Sequence, residues 1–314
     1  IMSAKTMNRA GYDVQLAAGT ITAGGTLGIL IPPSIMLVVM GPILNVPVTD
    51  LFAAAIMPGL MLAALYTGYT LIRCHLNPSL GPVVPEDLIP DSMREVWVEF
   101  FKGLVPPVLL VGSSLGSILA GLATPTEGAA MGAVGSIFLT LAYRKLNFKV
   151  FQEALLKTLE ITTLIMVLVC ASNFFGSVFS RLGTPTMITE ALMLLDLPPT
   201  AILLIVMAFI FLLAWPLEWV PIVLIIIPIV LPLIEQLGFN LIWFGILVAV
   251  NLQTAWLSPP VALSAYFLKG VAPDWDLSDI YKGMMQFMAI QVVGLALIII
   301  FPQIVLWLPE YLYG

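Results

Sequence analysis

The chain has 314 residues, of which 60% are hydrophobic and 10% are charged, and its formal net charge is −6. Soluble domains carry about 25% charged residues, so this composition excludes a soluble protein and predicts an all-α polytopic membrane protein surrounded by a lipid bilayer. The basic residues form no run that could follow a phosphate backbone, which excludes a nucleic-acid partner.

The start of the chain is polar, and residues 1–13 are predicted to be the end of a preceding helix or a loop. The first residue is Ile1 and not an initiator methionine. We therefore expect that further N-terminal sequence precedes this chain in the full protein.

The charge-free intervals predict the membrane spans, because a bilayer core of about 30 Å needs about 20 apolar residues per helical crossing. Intervals with the length of one crossing are 51–72, 161–180, 197–217 and 283–309. We predict that regions 51–160 and 161–235 consist of spans and that 283–309 is the final span. The basic residues of segment 144–157 are predicted to face the cytoplasm.

Two charge-free intervals are too long for one crossing, residues 14–49 and 236–268. Each contains a proline pair, Pro32-Pro33 and Pro259-Pro260, which removes two backbone donors and restricts the residue before it. On this basis neither helix is expected to run through its proline pair. We therefore predict two helical hairpins, residues 14–49 and 236–269, each with a tip inside the membrane.

The predicted tips are residues 24–34 (the first tip) and 254–260 (the second tip). Non-helical backbone inside a membrane survives only where protein or a water-filled cavity surrounds it. One broken helix in each half of a chain points to the binding site of a transporter. The alternative is a pair of tight surface loops between short spans, which the absence of charge at both tips disfavours.

Two further helix breakers lie next to a carboxylate, at Thr124-Pro125-Thr126-Glu127 and at Trp215-Pro216-Leu217-Glu218. A charged group at the bilayer centre costs at least about 2.5–3.5 kcal/mol, so both acids are candidates for function. Glu127 has three possible roles: capping helix 127–143 together with Thr124 or Thr126, binding an ion or substrate, or lying at the interface. For Glu218 the main alternative is an interfacial position beside the tryptophans.

The polar groups at the tips are mostly neutral oxygen donors, such as Thr26 and Ser34 at the first tip and Thr254 and Ser258 at the second. Hard cations prefer such ligands, so we predict sodium as the bound ion rather than a proton or a transition metal. The helical arms that begin at Ser34 and Val261 are predicted to present free N–H groups to a small organic anion. The alternative for any single hydroxyl is a hydrogen bond to the preceding helical turn.

Several motifs, in their order along the chain, resemble one family. They are Gly25-Thr26-Leu27-Gly28-Ile29-Leu30-Ile31-Pro32-Pro33-Ser34, Leu51-Phe52-Ala53-Ala54, Pro58-Gly59-Leu60, Ala123-Thr124-Pro125-Thr126-Glu127, Asn251-Leu252 and Ser258-Pro259-Pro260-Val261. The ordered set resembles the large membrane subunit of tripartite ATP-independent periplasmic (TRAP) transporters over most of the chain.

The resemblance implies a sodium-coupled secondary transporter of the bacterial inner membrane. It implies an elevator mechanism, in which two re-entrant hairpins and adjoining broken helices carry the substrate past a scaffold. The implied partners are a small membrane subunit and a periplasmic substrate-binding protein. The implied cargo is an organic acid, such as a dicarboxylate, a 2-oxo acid or a hydroxy acid.

The resemblance also implies a set of site residues. The implied sodium ligands are Gly25, Thr26, Gly28, Thr124, Asn251, Thr254, Ala255 and Ser258. The implied substrate contacts are Pro33, Ser34, Thr126, Pro260, Val261 and Ser264. The second tip departs from the family pattern at four positions. The family often has Gly, Thr, Gly and Asn where this chain has Ala255, Ser258, Ala262 and Ser264. Alanine for glycine narrows the backbone freedom there, so we expect a 2-oxo or hydroxy acid rather than a C4-dicarboxylate.

Two other classes of function are weaker predictions. A channel or passive pore for small anions or cations would show rings of charge or a repeated filter sequence, and an enzyme would need a nucleophile near a base or a pair of acids. The sequence shows none of these patterns, and it contains no phosphate-binding loop of an ATP-driven pump. We therefore predict a transporter and not an enzyme, with the channel as the alternative.

Overall fold

The computed structural model describes residues 2–83, 92–259 and 262–314. Within these ranges every regular element is a helix, which confirms the all-α prediction. The chain divides into two compact units. The first comprises Ile1–Pro85 and Asn173–Gly314, and the second comprises Glu86–Ser172.

The helices are named here in chain order. They are α1 (Met2–Arg9), α2 (Val14–Leu30), α3 (Ile35–Leu44), α4 (Val48–Leu76), α5 (Met93–Leu119), α6 (Pro125–Ala142), α7 (Phe148–Arg181), α8 (Thr184–Met193), α9 (Pro199–Ala214), α10 (Trp219–Pro221), α11 (Ile227–Gln236), α12 (Leu241–Leu257), α13 (Leu263–Val271), α14 (Leu277–Ile300) and α15 (Gln303–Tyr313). A 3-10 turn, Pro78–Leu80, follows α4, and a π-helical segment, Ile222–Ile226, joins α10 to α11.

Five helices in the described ranges are long and apolar enough to cross a membrane: α4, α5, α7, the α10–α11 segment Trp219–Gln236, and α14. A sixth candidate is the pair α2 and α3, which are bent by 43° at their break. A bend of this kind occurs in broken spans and in re-entrant loops alike, so the first hairpin stays a prediction. The chain is a multi-pass membrane protein.

The predicted final span, residues 283–309, is divided in the structure. α14 ends at Ile300 and α15 begins at Gln303. Pro302 has no N–H to donate to the carbonyl of Ile298, and the indole Nε1 of Trp243 donates to that carbonyl instead, at 3.1 Å. The helix therefore ends at this proline without leaving that buried acceptor unpaired.

A third proline pair, Pro106-Pro107, behaves differently from the pair at 32–33. It lies inside α5, which runs without interruption from Met93 to Leu119. The carbonyl of Lys102, to which a donor at position 106 would bond, accepts a hydrogen bond from the hydroxyl of Tyr143. A proline pair therefore does not end the helix at this position, although the hairpin predictions assumed that such a pair does.

The first unit is built around α12. Most of its side chains are buried, and it packs against α2, α3, α4, α9 and α14. Nearby, α2 and α14 cross at two glycines. A Cβ added to Gly283 would lie 2.0 Å from the backbone oxygen of Gln15, and one added to Gly19 would lie 2.5 Å from a ring carbon of Phe287. Small residues at such crossings let membrane helices approach closely, so this contact fixes α2 and the break that follows it.

The second unit contains a similar close contact between α5 and α6. The hydroxyl of Ser114 donates to the backbone oxygen of Gly128 at 2.6 Å. A Cβ added to Gly135 would lie 2.2 Å from Leu110 Cδ1. The glycines of α6 are therefore packing residues that hold the two helices together.

Candidate functional site

The first break is the segment 31–34 between α2 and α3. Pro33 cannot donate to the carbonyl of Ile29, and the hydroxyl of Ser34 donates to that carbonyl instead. The same Ser34 oxygen caps α3, because it accepts a hydrogen bond from the N–H of Leu37 at 3.4 Å. The arm therefore begins as predicted, at Ser34, but the hydroxyl of Ser34 is already engaged by its own backbone.

The second break is the segment 258–262 between α12 and α13. The hydroxyl of Ser264, in the first turn of α13, donates to the backbone oxygen of Trp256 and ties the two arms together. The described part of the second arm begins at Leu263, with Ala262 at its N-cap. Two predicted substrate contacts, Pro260 and Val261, lie outside the described residues.

Four hydroxyls next to the breaks share one hydrogen-bonding pattern. Thr26 donates to the carbonyl of Ala23 at 2.8 Å, and Ser258 donates to that of Thr254 at 2.7 Å. Thr22 and Thr254 make the same kind of bond three or four residues back. The predicted alternative, a hydrogen bond to the preceding helical turn, is therefore confirmed for these four hydroxyls. A hydroxyl that already donates its hydrogen to a backbone carbonyl can offer a ligand only its lone pairs. This suits a cation and not a carboxylate.

A cavity of about 190 Å³ lies between α2 and the second break. It is lined by Ile21, Thr22, Gly25, Thr26, Trp256, Ser264, Phe267 and Leu268. Three residues predicted from the sequence, Gly25, Thr26 and Ser264, are thus brought to one cavity from segments more than two hundred positions apart. Since one water takes about 30 Å³ in the liquid, the volume holds a partly hydrated ion or the polar end of a small acid.

The glycines of the first tip leave room along α2. Among the described residues, a Cβ added to Gly25 or Gly28 would meet no atom within 4 Å, in contrast to one added to Gly19 earlier in the same helix. Packing within the protein therefore does not require glycine at positions 25 and 28. The open space beside Gly25 belongs to the cavity.

Two buried amides, Gln253 of α12 and Gln291 of α14, form a pair beside the site. Nε2 of Gln291 donates to the carbonyl of Val250 at 3.1 Å and to Oε1 of Gln253 at 2.8 Å. Among the described residues, Nε2 of Gln253 and Oε1 of Gln291 have no hydrogen-bond partner. A buried polar atom without a partner costs about 1–3 kcal/mol, so one donor and one acceptor are available to a water or a ligand here.

Gln253 also lines a narrow crevice with Ile29 and Met36, which flank the first break. Trp256 lines this crevice and the larger cavity as well. The sequence placed Thr22 and Gln253 among the neutral oxygen donors near the tips but did not single them out as ligands. Gln291 was not predicted as a site residue. The sequence signal that could have identified Gln253 and Gln291 is the free-energy cost of placing a polar amide in an apolar membrane segment.

The remaining predicted residues of the first unit lie near the breaks but do not line the cavity. Asn251 is buried and donates from Nδ2 to the carbonyl of Met207 at 2.8 Å, which joins α12 to α9. Ala255 is buried, and its backbone oxygen accepts from the N–H of Ser258 at 3.3 Å. Pro33 is exposed. Their roles as ligands stay predictions.

Thr124 and Thr126 belong to the second unit, so the predicted roles of Thr124 as a sodium ligand and of Thr126 as a substrate contact stay predictions. Thr124 is the N-cap of α6, and its oxygen accepts from the N–H of Glu127 at 3.3 Å. Glu127 in turn accepts from the N–H of Thr124 at 2.8 Å. These two bonds form a capping box, which confirms the capping role of Glu127 and identifies Thr124 as its partner.

Residues 1–304 match the family described as tripartite ATP-independent periplasmic transporter, DctM component. The sialic acid TRAP transporter permease SiaT of Haemophilus influenzae is 26% identical over 98% of this chain and 49% of that protein. The sialic acid TRAP transporter large permease SiaM of Vibrio cholerae is 28% identical, over 99% of this chain and 71% of that protein. The C4-dicarboxylate TRAP transporter large permease DctM of Pseudomonas aeruginosa is 30% identical, over 98% and 70%. The chain thus spans about half the length of SiaT.

Proposed function

Because the chain belongs to the DctM component family of tripartite ATP-independent periplasmic transporters, we propose that it is part of a sodium-coupled secondary transporter that imports a small organic acid. Its relatives are named as transporter permeases, so the chain is a transport component and not an enzyme. The relatives' names give sialic acid and C4-dicarboxylates, both organic acids. The single observation that carries the proposal is the cavity between α2 and the two arms of the second break, with its hydroxyl lining.

Sodium is the proposed coupling ion because of the state of these hydroxyls. Thr26 is fully buried and gives its proton to a backbone carbonyl, so its oxygen faces any ligand as an acceptor. Ser258 and Thr254 are in the same state at the second break. Neutral oxygens of this kind, with backbone carbonyls of the interrupted helices, are the ligands of hard cations.

The organic acid requires donors, and the structure offers two kinds. The N-terminus of α3 carries the positive end of a helix dipole, although Ser34 already satisfies one of its N–H groups. Nε2 of Gln253 is the other donor, and it is buried and without a protein partner among the described residues. We propose that the carboxylate or a neighbouring oxygen of the substrate accepts from these groups. The choice of a 2-oxo or hydroxy acid rests on the departures at the second tip.

The elevator mechanism, the bacterial inner membrane, the small membrane subunit and the periplasmic substrate-binding protein complete the proposal. Family membership supports all four. The elevator part has one further support: both breaks lie in the first unit, as a body that moves together with its bound substrate and ion requires.

The test is uptake into proteoliposomes that contain the full-length protein with its partner subunits. Radiolabelled C4-dicarboxylates, 2-oxo acids, hydroxy acids and sugar acids are compared with and without an inward sodium gradient. We expect uptake of one class that needs both sodium and the binding protein. Flux that ignores both would contradict the proposal and favour the channel or passive pore.

A further inference from the structure

We propose that Gln291 of α14 is a positioning residue of the substrate site. It holds the amide of Gln253 so that the NH2 group, and not the oxygen, faces the crevice beside the first break. Both side chains are buried, with 0% and 1% of their surface exposed. Gln291 is absent from the described residues that line the crevice and the cavity, so it acts through Gln253. This role rests on the proposed function, because it concerns which group of the transported acid the site accepts.

A backbone carbonyl fixes the orientation of both amides. The oxygen of Val250 can only accept a hydrogen bond, so the end of Gln291 that lies 3.1 Å from it is the NH2 group. This group also donates to Gln253, at 2.8 Å. The atom of Gln253 that receives this bond is therefore its oxygen, Oε1. Nε2 of Gln253 is the end that Gln291 leaves free, and it has no partner among the described residues.

The crevice that Gln253 lines is otherwise poor in acceptors. Its other described lining residues are Ile29, Met36, Trp219, Leu252 and Trp256. The indole of tryptophan only donates, and the thioether of methionine is a weak acceptor. A crevice with free N–H groups and no strong side-chain acceptor suits a carboxylate or keto oxygen and disfavours sodium.

The neighbouring cavity has the opposite polarity, although Trp256 lines both spaces. In the cavity, the hydroxyls of Thr22 and Thr26 already donate to backbone carbonyls and offer their lone pairs. The cavity therefore suits the cation, and the crevice suits an oxygen of the anion. The crevice is narrow, so this oxygen reaches Nε2 of Gln253 only when the first break moves away from α12.

The amide pair does not serve stability. Oε1 of Gln291 and Nε2 of Gln253 are buried without a partner among the described residues, and such atoms destabilise a fold. Two methionines would fill similar space between α12 and α14 without unpaired polar atoms. We therefore expect the double variant Gln253→Met with Gln291→Met to keep the thermal midpoint of wild type. A change in its transport is then not caused by unfolding.

The test is uptake of the organic acid that wild type imports into proteoliposomes, with KM and the maximal rate measured separately. Gln253→Met removes the donor, and we expect KM to rise about tenfold, as for a lost hydrogen bond to a charged oxygen. In Gln291→Met the amide of Gln253 turns its oxygen to the crevice for part of the time, so KM should rise about threefold. The double variant should equal Gln253→Met, because the orientation no longer matters. The maximal rate should change little in all three variants.

Gln286→Met is the matched control, because Gln286 is an amide of the same helix that also bonds to a neighbouring helix, accepting from Tyr69 of α4 at 2.7 Å. It should leave KM unchanged. A wild-type KM in Gln253→Met or in Gln291→Met would overturn the positioning role. So would a double variant in which the two single effects multiply, since Gln291 would then act independently of Gln253. Wild type that imports no organic acid would instead contradict the proposed function itself.

Discussion

Pro32-Pro33 in the first unit and Pro106-Pro107 in the second are the same dipeptide in two apolar segments, with opposite effects on the helix. At the first pair, α2 ends and α3 begins at Ile35, whereas α5 continues through the second pair to Leu119. In both places a side-chain hydroxyl takes over a carbonyl that proline leaves free: Ser34 at the first pair and Tyr143 at the second. The loss of backbone donors is therefore common to both regions and does not explain the difference.

The difference lies in the residue that follows the pair. Ser34 accepts from the N–H of Leu37 and so starts a new helix, while Val108 has no oxygen with which to cap one. At a third place, Pro302, the helix ends although α15 has no side-chain cap, and Trp243 satisfies the carbonyl of Ile298. A proline removes a bond from a membrane helix, and at all three places a side chain satisfies the acceptor that is left.

The largest loss of stability is expected from removing the hydroxyl of Ser34, which both donates to the carbonyl of Ile29 and caps α3. Ser34→Ala leaves the carbonyl of Ile29 without its donor and α3 without its cap. We expect a loss of about 2–4 kcal/mol in unfolding free energy, the sum of an unpaired, partly buried acceptor and a lost N-cap. Chemical denaturation in detergent measures it. A loss below about 0.5 kcal/mol, within the range of surface substitutions, would show that the break is held by other contacts.

The next largest loss of stability is expected at Gly135 in the second unit. Gly135→Ala places a Cβ 2.2 Å from Leu110 Cδ1, and overpacking of this kind costs about 1–3 kcal/mol. We expect a lower thermal midpoint and a looser contact between α5 and α6. Leu110→Ala in the same chain is the control, because it removes the clashing atom and should restore part of the loss. No recovery would contradict a packing role for Gly135.

Removing the hydroxyl of Tyr143, which bonds to the uninterrupted helix α5, is expected to lower stability less than removing that of Ser34. Tyr143→Phe removes the donor to the carbonyl of Lys102, but both residues are exposed and the segment caps nothing. We expect a loss of about 0.5–1.5 kcal/mol, measured under the same denaturation conditions as Ser34→Ala. A loss larger than that of Ser34→Ala would reverse the comparison between the two regions.

The smallest effect on stability is expected at the first tip. The added Cβ of Gly25→Ala meets no atom of the described residues within 4 Å, and alanine favours a helix over glycine by up to about 1 kcal/mol, so the unfolding free energy should stay equal or rise. The new methyl group occupies the cavity, so uptake should fall while expression and stability are kept. Normal uptake together with normal stability would exclude this part of the cavity from transport.

The broad architecture was predictable from the sequence because it depends on local composition. Long intervals without charge identified α4 and α7, and the capping box at Thr124 and Glu127 follows from residue types at fixed spacing. The split after Ile300 was not predicted, although Pro302 is visible in the sequence. What the sequence could not show is the partner of the freed carbonyl, because Trp243 lies 55 residues away along the chain.

The site was predictable in part for the same reason. Hydroxyls such as Thr26 could be found by residue type, and the order of motifs placed Ser264 with them. The pair of Gln253 and Gln291 could not be found in this way, because it forms between α12 and α14 across 38 positions and its unpaired atoms exist only in three dimensions. The continuous helix through Pro106-Pro107 depends likewise on Tyr143.

Back-bonded hydroxyls near the breaks are the proposed sodium ligands. The most direct measurement is a sodium titration of tryptophan fluorescence in the full-length protein, since Trp256 lines the cavity, with Trp256→Phe to identify its signal. We predict a saturable response to sodium and not to potassium, weakened by about tenfold in Thr26→Val, which corresponds to about 1.4 kcal/mol. Thr140→Val, which removes an equivalent back-bonded hydroxyl in α6, should respond as wild type does. A response in Thr26→Val equal to that of Thr140→Val would contradict this proposal.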